Sequence, residues 1–327
     1  MNKVPISLIV DDPAPLVSVY YAHAGTRYTE DGRLLLEFFP NETLNAFCDV
    51  VEHRGIKGKF SVVPMPANRG NIFTGLEGVD QSLVEQWLHT VKTRLLPAFT
   101  VGPEMLTHHH AVDLATGNAL DCNEQAWAAT QDRTGLTPYI ARAVEILRDG
   151  GFDVCGVTSP WAFGIEVEPE YAAAISQAVW QVTGKKNAWY FLRSRRDVPN
   201  AKPWVELEAE GRCLVSIPAT TPEVFWASIN TADTSEEFIC ERADLLITED
   251  GKGGAIPQVL ETGGYPILIC HWQSLISNGL LTGMRILDKV AERVNRHLAD
   301  RVQWCSFEEI LNMVVAEKEN YPKPVFA

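Results

Sequence analysis

The seven cysteines of this chain include no Cys-x-x-Cys pair, which excludes zinc ribbons and fingers, since both need that spacing. The count is odd, and Cys155, Cys213 and Cys270 lie inside apolar runs. That argues against a disulfide framework and for a cytoplasmic setting, where a thiol serves as a small hydrophobe. No apolar run approaches the roughly 20 residues needed to cross a bilayer, so no membrane partner is expected. The start, Met1-Asn2-Lys3-Val4-Pro5, lacks the apolar core of an export signal. Basic residues are in the minority: 28 Lys and Arg against 42 Asp and Glu leave a formal charge of −14, which argues against a polyanion binder and makes nucleic acid an unexpected partner. No Gly-x-Gly-x-x-Gly turn, Walker loop or Gly-x-Ser-x-Gly elbow follows a strand, so no nucleotide cofactor is expected. Histidine is scarce too, eight in 327 residues.

Against that scarcity stands His108-His109-His110, with Asp113 three residues on. Neutral imidazole is the commonest metal ligand and the usual acid or base near neutral pH. The trio closes a strand-like run, 104–108. Alternate residues of a strand face opposite ways, so there His108 and His110 share a side and His109 opposes them. If the chain turns helical, His109 and Asp113 become an i, i+4 pair instead. At the amino terminus, Val4-Pro5-Ile6-Ser7-Leu8-Ile9-Val10 stops at Asp11-Asp12-Pro13. Two adjacent carboxylates at the end of a buried strand cost free energy unless a cation or hydrogen bonds compensate. This marks Asp11 and Asp12 as a functional pair.

Apolar runs at 4–10, 59–63, 104–108, 152–158, 188–192, 213–218, 266–271 and 302–305 alternate with helical periodicity at 41–53, 80–96, 138–149, 169–182, 235–246, 253–262, 282–298 and 306–318. Buried strands alternating with helices predict an α/β fold with a parallel sheet. Seven or eight such repeats predict a single domain, 1–327, closed as a distorted (β/α) barrel. Loops after barrel strands gather on one face, and the predicted strand ends carry Asp11-Asp12, the histidine trio, Ser159-Pro160-Trp161 and His271-Trp272. Trp161 and Trp272, with His108 and His110, are read as the substrate side, the tryptophans offering planar faces to a sugar ring. The long segments 13–40 and 111–135 are expected to rise over the site as partial lids.

In order and spacing, from Ile6 to Leu311, these strand-end elements resemble the polysaccharide deacetylase superfamily, the group built on the NodB-homology domain. Leu8-Ile9-Val10-Asp11-Asp12 matches its first motif and Gly58-Lys59-Phe60-Ser61-Val62-Val63 its second strand. Ile267-Leu268-Ile269-Cys270-His271 matches its last motif, followed by a closing strand from Val302. The resemblance implies Asp11 as general base, Asp12 as metal ligand, His109 or a neighbour as a further ligand, and His271 as general acid. The family's second histidine stands four after the first; from His109 that place holds Asp113, and from His108 it holds Val112. The family's Arg-Pro-Pro element is represented by Thr158-Ser159-Pro160-Trp161, without an arginine.

The expected ligand set is therefore Asp12, His109 and Asp113 around a divalent metal, zinc first, with an open position for water. The expected activity is removal of an acyl group from an amide, an N-acetylated sugar or another small soluble amide. A barrel that binds a carbohydrate or metabolite without hydrolysis is a second expectation. A third is a glycosidase pairing Asp11 with Asp113 or Glu166. A homo-oligomer is left open.

Overall fold

A computed structural model describes residues 3–96, 98–198 and 200–325. Met1 and Asn2, where the amino-terminal reading begins, and the last two residues of the domain drawn over 1–327 lie outside them. Nine strands position the site: β1 Val4–Asp11, β2 Gly58–Val62, β3 Phe99–Pro103, β4 Gly156–Thr158, β5 Asn187–Phe191, β6 Trp204–Ala209, β7 Arg212–Ser216, β8 Ile267–His271 and β9 Val302–Trp304. β1 pairs in parallel with β8 along residues 7–11, with β9 along residues 4–6, and with β2, which pairs in parallel with β3. The second sheet runs β6-β7-β5-β4, parallel except for the β6–β7 hairpin. The two sheets touch twice. A parallel bridge joins Glu104, just past β3, to Thr158. Beyond β7, the Thr220 N–H donates to the Ile267 carbonyl at 2.9 Å and Thr220 Oγ1 accepts the Ile267 N–H at 2.8 Å.

The two-residue period of β1 divides the core. Ile6, Leu8 and Val10 enter the cluster that the helices cover, while Ile9 joins a second cluster with Trp189, Val215 and Ile267 from both sheets. Phe307, Ile310 and Leu311 of the helix Phe307–Ala316 complete this second cluster. That helix begins with a capping box between Ser306 and Glu309, an arrangement that contributes about 1 kcal/mol. Since side chains alternate, Asp11 continues the face of Ile9, and Lys59 and Ser61 flank Phe60 on the face opposite to its helix-side packing. Polar groups are thereby led into the space above the inter-sheet core. Trp189 fits there only because Gly156 has no side chain, as a Cβ on it would lie 2.2 Å from the indole.

Most predicted elements are present within a few residues of their expected limits. The third strand is the exception: it spans Phe99–Pro103, not 104–108. Gly102 and Pro103 read as breakers, yet Gly102 sits where a Cβ would meet the Gly156 carbonyl at 2.6 Å, and Pro103 is the last residue of the strand. The shift matters for the site, because Glu104 then begins the loop after the strand. The edge strand β6 was not expected; its Glu206 and Glu208 gave it a polar look. Among the described residues no helix is long and apolar enough to cross a membrane.

Candidate active site

β1 ends at Asp11, and Asp12 turns out of the strand with φ +69°. A non-glycine residue in this region costs of order 1 kcal/mol, and aspartate tolerates it better than most. Two bonds hold it: the Asp12 N–H donates to Glu104 Oε2 at 2.6 Å, and Gln273 Nε2 donates to Asp12 Oδ2. Met105, His108 and Trp161 also have positive φ, at +40°, +51° and +50°. Strained backbone of this kind gathers at functional sites. The loop from Met105 to His108 closes around the buried carboxylate of Glu124, which accepts the N–H groups of Leu106 (3.1 Å), Thr107 (2.9 Å) and His108 (2.8 Å) and the Tyr139 hydroxyl (2.7 Å). The result is a His108 ring aimed at Asp12.

His108 Nε2 lies 2.9 Å from Asp12 Oδ1 and 3.4 Å from Glu104 Oε1, and all three residues are at most 3% exposed. The closer approach is within ion-pair distance. One ligand atom from each of Asp12, Glu104 and His108 lies within 4.8 Å of the others. Atoms that converge this closely could serve as ligands of a single cation, and two carboxylates with one imidazole fit a divalent metal. The electrostatics agree. Burial, then Asp12 and Asp11, push the Glu104 carboxyl up to about 8. Burial opposes the charged form of Asp12, but His108, His271 and the Gln273 amide outweigh it and lower its pKa. His108 is raised well above the ordinary imidazole value: burial opposes its charge, and Asp12 and Glu104 overcome it. The cluster attracts positive charge.

Asp11 and His271 are register partners on the adjacent strands β1 and β8. They are therefore side by side, not facing across a mouth. Burial disfavours a charged His271, but Asp12, Asp11, Glu223 and Glu104 together raise its pKa. Asp11 Oδ1 accepts from Lys59 Nζ, which also donates to Ser61 Oγ and, at 2.7 Å, to Thr158 Oγ1. Lys59 is fully buried, and it forms an ion pair with Asp11.

Asp11, Asp12, Glu104, His108 and His271 line a cavity of about 420 Å³. Over it lies a strap, residues 17–38, closed by antiparallel bridges between Val17 and Phe38 and between Tyr28 and Leu34. The strap carries the short helix Val19–His23. The His23 ring stacks 5.0 Å from His108 and meets Trp161 edge-on, while Tyr20 meets Trp226, itself edge-on to His271. Burial and the neighbouring His108 hold His23 down at about 4, so it is neutral at pH 7. The far end is tied down by Arg33 Nη2 to the Ile229 carbonyl (2.7 Å) and by Asn278, which accepts from the Leu36 N–H (2.8 Å) and donates to the Leu34 carbonyl (2.9 Å).

Of the residues expected at the site, the structure brings together Asp11, Asp12, His108, Trp161 and His271. It places the others elsewhere. His109 Nδ1 is 3.0 Å from Asn68 Oδ1, and His110 Nδ1 is 3.0 Å from the Leu120 carbonyl. Asp113 folds its carboxylate onto the N–H groups of Ala115 and Thr116 in a hairpin turn. Its i, i+4 relation to His109 has no helix to act in, because residues 110–112 form a strand. Trp272 is 1% exposed and packs edge-on to Phe47 and Phe60. Glu166 is exposed in the turn Ile165–Val167, so neither Asp113 nor Glu166 pairs with Asp11 across the cavity. Glu104, Lys59, Glu124, Tyr20, His23, Trp226 and Gln273 were not anticipated. Two signals were available: Glu104 stands four before His108, and a lysine interrupts a strand otherwise fit for burial.

No family model and no curated protein matches the sequence. Among solved structures, the fold is similar to that of a presumed polysaccharide deacetylase from Mycobacterium smegmatis, with TM-score 0.52 and 12% identity over 100% of this chain and 95% of that one. A 4-alpha-glucanotransferase from Thermococcus litoralis gives TM-score 0.47 and 10% identity over 95% of this chain and 40% of that one. The first likeness is one of fold.

Proposed function

We propose that this chain is a metal-dependent hydrolase that removes an acyl group from an amide, in the manner of a deacetylase. One observation carries the reading: Asp12, Glu104 and His108 converge in a buried cluster at strand ends, with Asp11 and His271 beside it. The fold likeness to a presumed polysaccharide deacetylase supports it. The same reading completes the two sheets as a distorted barrel, with the Glu104–Thr158 bridge and the Thr220–Ile267 pair as its seams.

A divalent cation bound by Asp12, Glu104 and His108 would polarise the acyl carbonyl and make its bound water more acidic. Asp11, held by Lys59 and Ser61, takes the proton of the attacking water as the C–O bond forms. His271, whose pKa the surrounding carboxylates raise, gives its proton to the nitrogen as the C–N bond breaks. Trp161, 39% exposed and 4.5 Å from His108, offers a face for a sugar ring. The strap covers the cavity, which favours an N-acetylated sugar or another small amide over a polymer. A cytoplasmic setting belongs to the same proposal, as the seven cysteines are free thiols.

Acetate release from N-acetylated monosaccharides and short oligomers, with metal-loaded and chelator-treated protein, tests the proposal. Chelator-sensitive release supports it. Tight binding of such a compound without release would favour a metabolite-binding protein instead.

A further inference from the structure

We infer that the metal centre is biased toward manganese relative to a zinc site built on two nitrogen donors, and that Glu104 is the residue that sets this bias. The inference rests on the metal-site reading above and deepens it. Catalytic zinc sites with three protein ligands commonly include at least two nitrogen or sulfur donors. Here the donors would come from Asp12, Glu104 and His108, whose nearest atoms are Asp12 Oδ1, Glu104 Oε1 and His108 Nε2, two hard oxygens and one nitrogen. Hard oxygen donors favour manganese and magnesium relative to zinc, and the imidazole favours manganese over magnesium.

Size works in the same direction. Glu104 Oε2 is engaged by the Asp12 N–H at 2.6 Å, and Gln273 engages Asp12 Oδ2. Each carboxylate therefore has one oxygen already accepting a hydrogen bond and one freer to coordinate. Calcium draws on six to eight oxygens, often including a bidentate carboxylate, and this buried pair does not offer that set. Both carboxylates are nearly inaccessible, so exchange of one donor type at position 104 alters the ligand set and not a solvated surface. Zinc binds nitrogen and oxygen sites more tightly than manganese in absolute terms. The ratio of the two affinities is therefore the informative quantity.

The test titrates chelator-stripped protein with manganese, followed by electron paramagnetic resonance, and with zinc, followed by competition with a chromophoric chelator. Wild type, Glu104→His and Glu104→Gln are compared. Glu104→His is expected to raise the zinc-to-manganese affinity ratio by about tenfold or more, and Glu104→Gln to weaken manganese binding by a similar factor. Calcium at equal concentration is expected not to displace manganese. In case a variant fails to fold, a spin-echo measurement on manganese-loaded wild type counts the nitrogen donors, and one is expected. An unchanged or lower ratio in Glu104→His, displacement by calcium, or two nitrogen donors overturns the inference and leaves the hydrolase reading standing. Wild type that binds neither metal overturns both.

Discussion

Asp11 and His271 occupy matched positions on neighbouring strands, which makes their separate duties visible in a pH profile. A general acid works only while protonated, so the rate falls as pH rises through its pKa. Since the surrounding carboxylates hold His271 above the ordinary value of 6.5, the alkaline limb is expected above that pH. His271→Gln should abolish this limb and lower kcat by about 100-fold or more; Asp11→Asn should lower kcat with the alkaline limb retained. Glu223 supplies a stability test. Burial raises its carboxyl from 4.5 to about 7, with His271 acting against the shift. A raised pKa means that the folded state binds the proton more tightly, so this contribution is full below pH 4.5 and is lost as pH rises through about 7. In metal-free protein, Glu223→Gln should raise the melting temperature at pH 8 and leave it nearly unchanged at pH 4.5, and the reverse order would contradict the burial account. Asp11, Asp12 and His271 were legible in the sequence because each ends an apolar run. Glu104 was not, because its partner was sought after the histidines and not before them. His109 and His110 drew attention by composition, yet Nδ1 of the one is engaged with Asn68 and Nδ1 of the other with a backbone carbonyl.

At the scale of the element, β3 shows why Glu104 was not among the expected site residues. A glycine and a proline at its carboxyl end look like a loop, but tertiary packing uses both: Gly102 lies against Gly156, and Gly156 against Trp189. Adding a Cβ at Gly156 would overpack this junction, and such changes cost about 1–3 kcal/mol. Gly156→Ala is accordingly expected to lower the denaturation midpoint, measured by urea titration, without moving metal affinity by a comparable factor. The length of the strap drew attention to it in the sequence, but its docking was not legible, since the anchors at Ile229 and Asn278 are about 200 residues or more away in sequence and no local pattern reports them. Asn278 gives the strap two hydrogen bonds from a left-handed backbone. Net losses of about 1 kcal/mol per bond predict that Asn278→Ala speeds amide exchange at residues 34–36 about tenfold or more. Unaltered exchange there would mean that the strap is held elsewhere.

For the molecule as a whole, the alternation of apolar runs and helices was enough to predict an α/β fold with a parallel sheet. The division of strands between two sheets was not legible, because pairing partners are chosen by tertiary register and not by local period. A cavity of about 420 Å³ on a chain of charge −14 suits a small neutral or cationic substrate better than an anionic polymer. N-acetylated monosaccharides and short oligomers should turn over faster than polymeric chitin; faster turnover of the polymer than of every small compound would count against the strap as a cover. The central claim is that Asp12, Glu104 and His108 form the metal centre, and metal content tests it most directly. Elemental analysis of metal-loaded, desalted protein should find one divalent ion per chain in wild type, His109→Ala and Asp113→Ala, and far less in Asp12→Ala and His108→Ala. Loss of metal in His109→Ala and Asp113→Ala with retention in His108→Ala, or equal content in all five proteins, would contradict the account.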